Sequence, residues 1–285
     1  MSPAAYWRCL YGIVYREALR FVHQRGRFIA ALVRPLVWLF IFAAGFRAVL
    51  GLPPNPPYET YITYEEYILA GLVAMIQLFN GLQSSLSMVY DREMGSMRTL
   101  LVSPLPRWYL LGCKLLAGTA VSILQVYVFL VIAAVFDVRA PGIGYLTVLP
   151  ALVVCGLMLG AMGLFLSSTI KQLENFAGVM NFIIFPMFFA SSALYPLWYV
   201  KQGSQVLRIS LGGLKLGFQP LLWVCTNNPF THAVELIRFA LYGQLNLHAL
   251  GWVAGWTVLF MALSVYGYDP SRGLISRRAG AGAPA

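Results

Sequence analysis

Six long apolar runs alternate with shorter segments that collect the charges, prolines and many of the tyrosines. The runs fall at about 28–50, 67–89, 108–136, 143–168, 175–197 and 248–267. Each is continuous rather than alternating. About 20 helical residues cross a hydrocarbon layer ~30 Å thick, so every run is near or above the length required. The period-two pattern of barrel strands is not what these runs show, and open backbone cannot face lipid. The pattern predicts an all-α integral membrane protein with six transmembrane helices spread over residues 28–268.

The segments outside the runs have patterns of their own. On a helix through residues 1–27, Trp7, Leu10, Val14, Ala18 and Phe21 share one face, while Arg16, Arg20, His23 and Arg27 fall opposite. That suits an interfacial helix with its apolar side in the membrane and its arginines at anionic headgroups. The segment has no continuous apolar core and no small-residue cleavage site, which argues against a secretory leader. In the stretch about 90–107, YDREMGSMRTLLVSPLPR, the residues Tyr90, Met94, Met97 and Leu101 recur at helical spacing, with Arg92, Ser96, Thr99 and Ser103 on the other side. Pro104 and Pro106 end it. Such a helix fits a partner's groove or rests on the membrane surface, and periodicity does not choose between them. Residues 198–247 are too mixed for clean spans and too apolar for an open loop. There Asn228 and Pro229 read as N-cap and first position of an amphipathic helix, and Glu235 and Arg238 sit one turn apart, able to pair. Short helices dipping into the outer leaflet satisfy this composition. The tail 269–285 is small and basic and reads as disordered.

Charge then orients the chain. Only 11% of residues are charged against 59% hydrophobic, with mean hydropathy +0.72, which points to a bilayer as solvent. Basic residues concentrate at Arg8, Arg16, Arg20, Arg25 and Arg27, at Arg92, Arg98, Arg107 and Lys114, at Lys171, and at Arg272, Arg277 and Arg278. The segment with Glu59, Glu65 and Glu66 is acidic. By the positive-inside rule both termini and the 90–107 stretch are cytosolic, and 198–247 is external.

Candidate chemistry is sparse. No G-x-x-x-x-G-K-[ST] run occurs, so the chain itself cradles no nucleotide phosphate. The three histidines make no H-E-x-x-H pattern, and Cys9, Cys113, Cys155 and Cys225 have no paired spacing. No acid or histidine falls near a predicted midplane, as a proton- or sodium-driven carrier requires. The intramembrane polar groups are Gln77, Asn80, Gln83, Ser84 and Ser85, then Gln125, then Asn181. Gln77, Asn80, Ser84, Gln125 and Asn181 are candidates to line a path, and interhelical hydrogen bonding is the alternative. Gly156, Gly160 and Gly163 form a small-residue face suited to close helix packing.

The run Glu93-x-Gly95-Ser96, then Leu100-Leu101-Val102-Ser103-Pro104-Leu105-Pro106-Arg107 and Gly112-x-Lys114, resembles the cytosolic loop of type 2 ATP-binding-cassette transporter permeases. These include the daunorubicin-resistance, nodulation-factor, teichoic acid and O-antigen exporters. The arginine-rich start, Arg34-Pro35-Leu36, and Asn228-Pro229 ahead of Glu235-Leu236-Ile237-Arg238 are similar to the same family, so the likeness covers nearly the whole chain. The resemblance implies a coupling helix at Glu93, Met94, Gly95, Met97, Arg98, Leu101, Ser103 and Pro104, docked on a separate ATP-binding subunit. It also implies a second permease copy and an external re-entrant hairpin before the last span. This chain would then be no enzyme and would bind no cofactor, with Mg-ATP held by the partner. The setting would be a bacterial cytoplasmic (inner) membrane, and the cargo a drug, glycolipid or lipid-linked glycan moved outward. Ser96 replaces the family's usual threonine, and Arg98 stands where an acid is common, so the complementary partner surface is expected to be acidic. A secondary carrier or channel of another fold, and a lipid-modifying enzyme, are the rival readings.

Overall fold

The structure is a computed structural model, described for residues 3–23, 25–46, 56–58, 62–94, 105–170, 172–203, 207–211 and 214–268. The helices are α1 (Pro3–His23), α2 (Arg25–Phe46), α3 (Tyr64–Glu93), α4 (Arg107–Val135), α5 (Gly144–Thr169), α6 (Leu173–Phe189), α7 (Leu197–Gly203), α8 (Pro220–Asn227), α9 (Pro229–Leu241) and α10 (Leu247–Gly267). An antiparallel hairpin, β1 (Leu207–Leu211) with β2 (Leu214–Phe218), lies between α7 and α8.

Four helices, α3, α4, α5 and α10, are long and apolar enough to cross a membrane. They match the second, third, fourth and sixth expected spans to within a few residues. The other two are shorter among the described residues. In α2 the apolar stretch is Ala31–Ile41, and residues 47–50 of the expected span lie outside the described residues. The fifth expected span, 175–197, becomes the 17-residue α6 and stops at Phe189. It stops there because side chains from other helices take the carbonyls that further turns would use, as set out below. The hairpin corrects the reading of 198–247 as helices alone. Its sequence carries the period-two signal: Leu207, Ile209 and Leu211 alternate with Arg208 and Ser210. The tail 269–285 lies outside the described residues.

The core sits where α3 crosses α5. Of the most apolar window, 83% of α3 and 67% of α5 is buried within the protein, against 17% of α10, which lies at the periphery. The expected small-residue face is what lets these two helices meet. A Cβ on Gly81 would stand 2.9 Å from Gly160 N, and one on Gly163 would stand 2.7 Å from Gly81 O. Backbone meets backbone here, so only glycine fits. α3 starts with a reciprocal cap. Thr63 Oγ1 accepts from Glu66 N at 3.4 Å, and Glu66 Oε2 accepts from Thr63 N at 3.2 Å.

Candidate functional site

Three places along α3 gather the polar side chains singled out by the sequence. The first is its C-terminal end, the root of the 95–104 segment. Asp91 is buried in the last turn, and a buried carboxylate requires counter-charge. Helix α1 supplies it: Arg20 Nη2 lies 3.6 Å from Asp91 Oδ1 and Arg16 Nη2 4.0 Å from Oδ2. Glu17 Oε1 holds the same arginines at 3.3 and 3.8 Å. Arg16 and Arg20 thus serve α3 while keeping part of their side chains exposed. The outer face of α1 presents Trp7, Tyr11, Val14 and Tyr15, an aromatic surface suited to a headgroup layer. Its inner face packs on α4, where Tyr109 Oη donates to Tyr6 O at 2.7 Å and the two rings meet edge to face.

The next two residues of α3 tie it to the α5–α6 junction. The Arg92 guanidinium donates to Ile170 O, and Glu93 Oε1 accepts from Leu173 N at 2.8 Å. Met94 closes the helix with an exposed side chain. Gly95, Met97, Arg98, Leu101, Ser103 and Pro104 lie outside the described residues, as does the side chain of Arg27.

The second place is a seam between α3, α4 and α5. Gln77 Nε2 donates to Leu152 O at 2.7 Å, and the Asn80 amide donates to Gln125 Oε1. Gln77 and Ser84 line a cleft with Thr119, Ser122, Gly118 and Gly156. Four of the five candidate path residues are therefore brought together, with the interhelical bonding that was the alternative reading. Asn181 is not among them. It is exposed on the outer face of α6 beside Gly178, Phe182 and Phe185.

The third place is the N-terminal end of α3. Asn228 caps α9, Oδ1 accepting from Phe230 N at 3.0 Å, with Pro229 at the first position. Its Nδ2 donates to Met187 O at 2.8 Å and Ala190 O at 2.7 Å, which terminates α6. Arg238 pairs with Glu235 as its spacing suggests, yet it is buried. Its Nη2 donates to Ser192 O at 2.7 Å and its guanidinium stacks 4.0 Å from the Tyr67 ring centroid. Tyr67 Oη donates to the same Ser192 O at 2.9 Å, and Tyr64 Oη to Leu194 O at 2.8 Å. Burial pushes the Tyr58 hydroxyl, beside this cluster, up to about 12. Nearby His232 stacks on Trp252 at 4.9 Å, and burial together with His248 lowers its pKa.

Sequence reasoning missed Asp91 as an anchor, Lys114 as a buried group, and Tyr64 and Tyr67 as donors to the turn that follows α6. The tyrosines had a signal, since Tyr58, Tyr61, Tyr64 and Tyr67 recur every three residues. Among the described residues no three His, Cys, Asp or Glu side chains converge as metal ligands.

Comparison with known proteins places this arrangement in context. Residues 9–210 match the ABC-2 type transporter family. The chain is 25% identical to the transport permease ycf38 of Porphyra purpurea over 241 residues, 82% of this chain and 79% of that one. The Cyanophora paradoxa protein of the same name is 24% identical over 234 residues, 81% of this chain and 73% of that one. The multidrug ABC transporter permease YbhR of Escherichia coli is 26% identical over 205 residues, 71% of this chain and 50% of that one.

Proposed function

The chain belongs to the ABC-2 type transporter family, and on that premise we propose that it is the membrane permease subunit of an ATP-driven exporter. A separate ATP-binding subunit, carrying Mg-ATP, supplies the energy, and the permease has no hydrolytic chemistry of its own. The observation that carries this reading is the bracing of the 95–104 root. Asp91 is held by α1, while Arg92 and Glu93 are held by the α5–α6 junction, so a push on the loop reaches three elements at once. A loop that merely joined two spans needs no such anchoring. The coupling residues are Glu93, Met94, Gly95, Met97, Arg98, Leu101, Ser103 and Pro104, and the termini are cytosolic in a bacterial inner membrane. Export of a hydrophobic or amphipathic cargo agrees with the multidrug description of YbhR.

The functional unit is a homodimer in this reading. Asn181 is the supporting residue: exposed in an apolar helix, its amide has no water in lipid and calls for a protein or cargo partner. The α8–α9 pair, joined through Asn228, forms the external re-entrant element and closes the outer end. The test is co-expression with the adjacent ATP-binding subunit. Leu101→Asp is expected to abolish both co-purification and permease-stimulated ATP hydrolysis. Unchanged stimulation in that variant refutes the coupling assignment. Cargo movement by the lone permease in liposomes without nucleotide refutes the ATP-driven reading and favours a secondary carrier.

A further inference from the structure

The cleft between α3, α4 and α5 carries a feature that interhelical packing leaves unexplained. Lys114, seven residues into α4, is 4% exposed, and its Nζ donates to Ser87 Oγ at 2.6 Å. An ammonium has three hydrogens to place. Among the described residues the charges that act on it are Glu17, Asp91, Arg16 and Arg20. With Lys114 this group holds three cations and two anions, a net positive charge in a buried setting, where an unbalanced ion is costly.

Farther up the same cleft two buried oxygens, Gln77 Oε1 and Thr119 Oγ1, have no hydrogen-bond partner. The two side chains converge over Gly156: a Cβ there would stand 3.3 Å from both Gln77 Nε2 and Thr119 Oγ1. The cleft leaves a cavity of about 10 Å³, room for one oxygen-sized group. Ser84 and Gly118, which line it, are only half-buried, so the open side lies between α3 and α4. No carboxylate is among the described residues that line it.

We propose that this cleft is a binding site for the oxyanion of a phosphate group on an amphipathic molecule, with Lys114 as its counter-ion and Thr119 donating to the inserted oxygen. The site rests on the permease reading and narrows its cargo or lipid ligand to anionic amphipaths. A hydroxyl-lined cleft with one cation and no acid selects against cations. Its position within spanning helices favours a ligand that arrives from the membrane. The same inserted oxygen, as the P–OH of a singly protonated phosphate, donates to Gln77 Oε1.

The test uses the full-length permease alone, without an ATP-binding subunit or nucleotide, so a negative result leaves the ATP-driven reading to its own assay. Retention of dioleoyl phosphatidic acid is measured by native mass spectrometry against dioleoyl phosphatidylcholine. Wild type is expected to hold phosphatidic acid selectively. Lys114→Met is expected to weaken it about tenfold, the scale of one charge-assisted hydrogen bond, while Lys114→Arg keeps most of it. Millimolar inorganic phosphate that displaces the lipid supports an oxyanion site open to free anions. Failure to displace supports a lipid-borne ligand. Lys114→Met should fold, since it removes an uncompensated buried charge, and its melting temperature checks this. Thr119→Val, expected to lose affinity several-fold, carries the test if it does not. Equal retention of both lipids, or wild-type affinity in Lys114→Met and Thr119→Val, overturns the proposal.

Discussion

Arg238→Met tests whether the N-terminal end of α3 and the turn after α6 are held by one buried cation. The substitution keeps apolar bulk but removes the donor to Ser192 O, the stacking on Tyr67 and the partner of Glu235. Removing one member of a buried ion pair costs about 3–5 kcal/mol, mostly because the other charge is stranded. The Glu235 side chain keeps 23% of its surface, so water relieves part of that, and the low end, about 3 kcal/mol, is expected. For a chain of this size each kcal/mol moves the melting temperature by roughly 2–4 °C, giving a fall of about 6–12 °C. Thermal unfolding of the purified permease in nanodiscs is the assay. A second variant separates charge from packing: Glu235→Gln with Arg238→Met should recover part of the loss, since no charge is then stranded. Arg238→Lys should fall between, because an ammonium cannot reach Glu235 and Ser192 with one planar fork. A single variant that melts within 2 °C of wild type, or a double variant no better than the single, refutes this account.

Two further outcomes follow from geometry elsewhere. His232 has its folded pKa lowered, first by burial and then by His248, so the unfolded chain binds its proton more readily. Its stability contribution is fully present above the ordinary value of 6.5 and is lost as pH falls below it. The melting temperature should therefore drop between pH 7.5 and 5.0, and His232→Gln should flatten that slope; an unchanged slope removes His232 as the cause. Gly81→Val should cost about 1–3 kcal/mol by overpacking, because its Cβ meets the Gly160 backbone at 2.9 Å. Gly251→Val, on a face with nothing within 4 Å, should be near neutral by the same measurement.

The spans legible in the sequence were those whose apolar character is intrinsic: α3, α4, α5 and α10 announce themselves by length and continuity. The fifth helix is shorter than its apolar run for a tertiary reason. Nothing between residues 175 and 197 says that Asn228 and Arg238 will claim the carbonyls of Met187, Ala190 and Ser192, contacts 38 to 46 residues away along the chain. The same holds at the C-terminal end of α3, where Arg92 reaches Ile170 across 78 residues. Local signals performed better: the Asn228-Pro229 start of α9, the Glu235–Arg238 pair and the glycine face of α5 all stand as their spacing indicates. The hairpin at 207–218 was also legible, through its alternation, but a reading tuned to helical runs passes over five-residue strands. Charge counting grouped Lys114 with the basic residues of the 90–107 side, yet it is buried. Counting assigns a side chain to a segment, whereas burial depends on which neighbours that segment meets.

The three polar places share one element, and that constrains how the molecule can move. Helix α3 has 30 residues, about 45 Å of continuous helix from the Tyr64 and Tyr67 hydroxyls at the outer break to Asp91 at the loop root. Between them Gly81 meets Gly160 and Gly163 without side-chain slack, so α3 cannot slide along α5 without separating two backbones in van der Waals contact. Displacement of its C-terminal end is therefore taken up in one of two ways: α3 and α5 travel together, or they part at the glycine face and open the cleft lined by Gln77, Ser84 and Thr119. In the first case the α6 break moves with α3, through the tyrosine bonds to Ser192 and Leu194. In the second, the tyrosines stay and the space beside Lys114 grows. Both routes tie the loop root to a polar place farther out, and the glycine contact decides which one the helix takes.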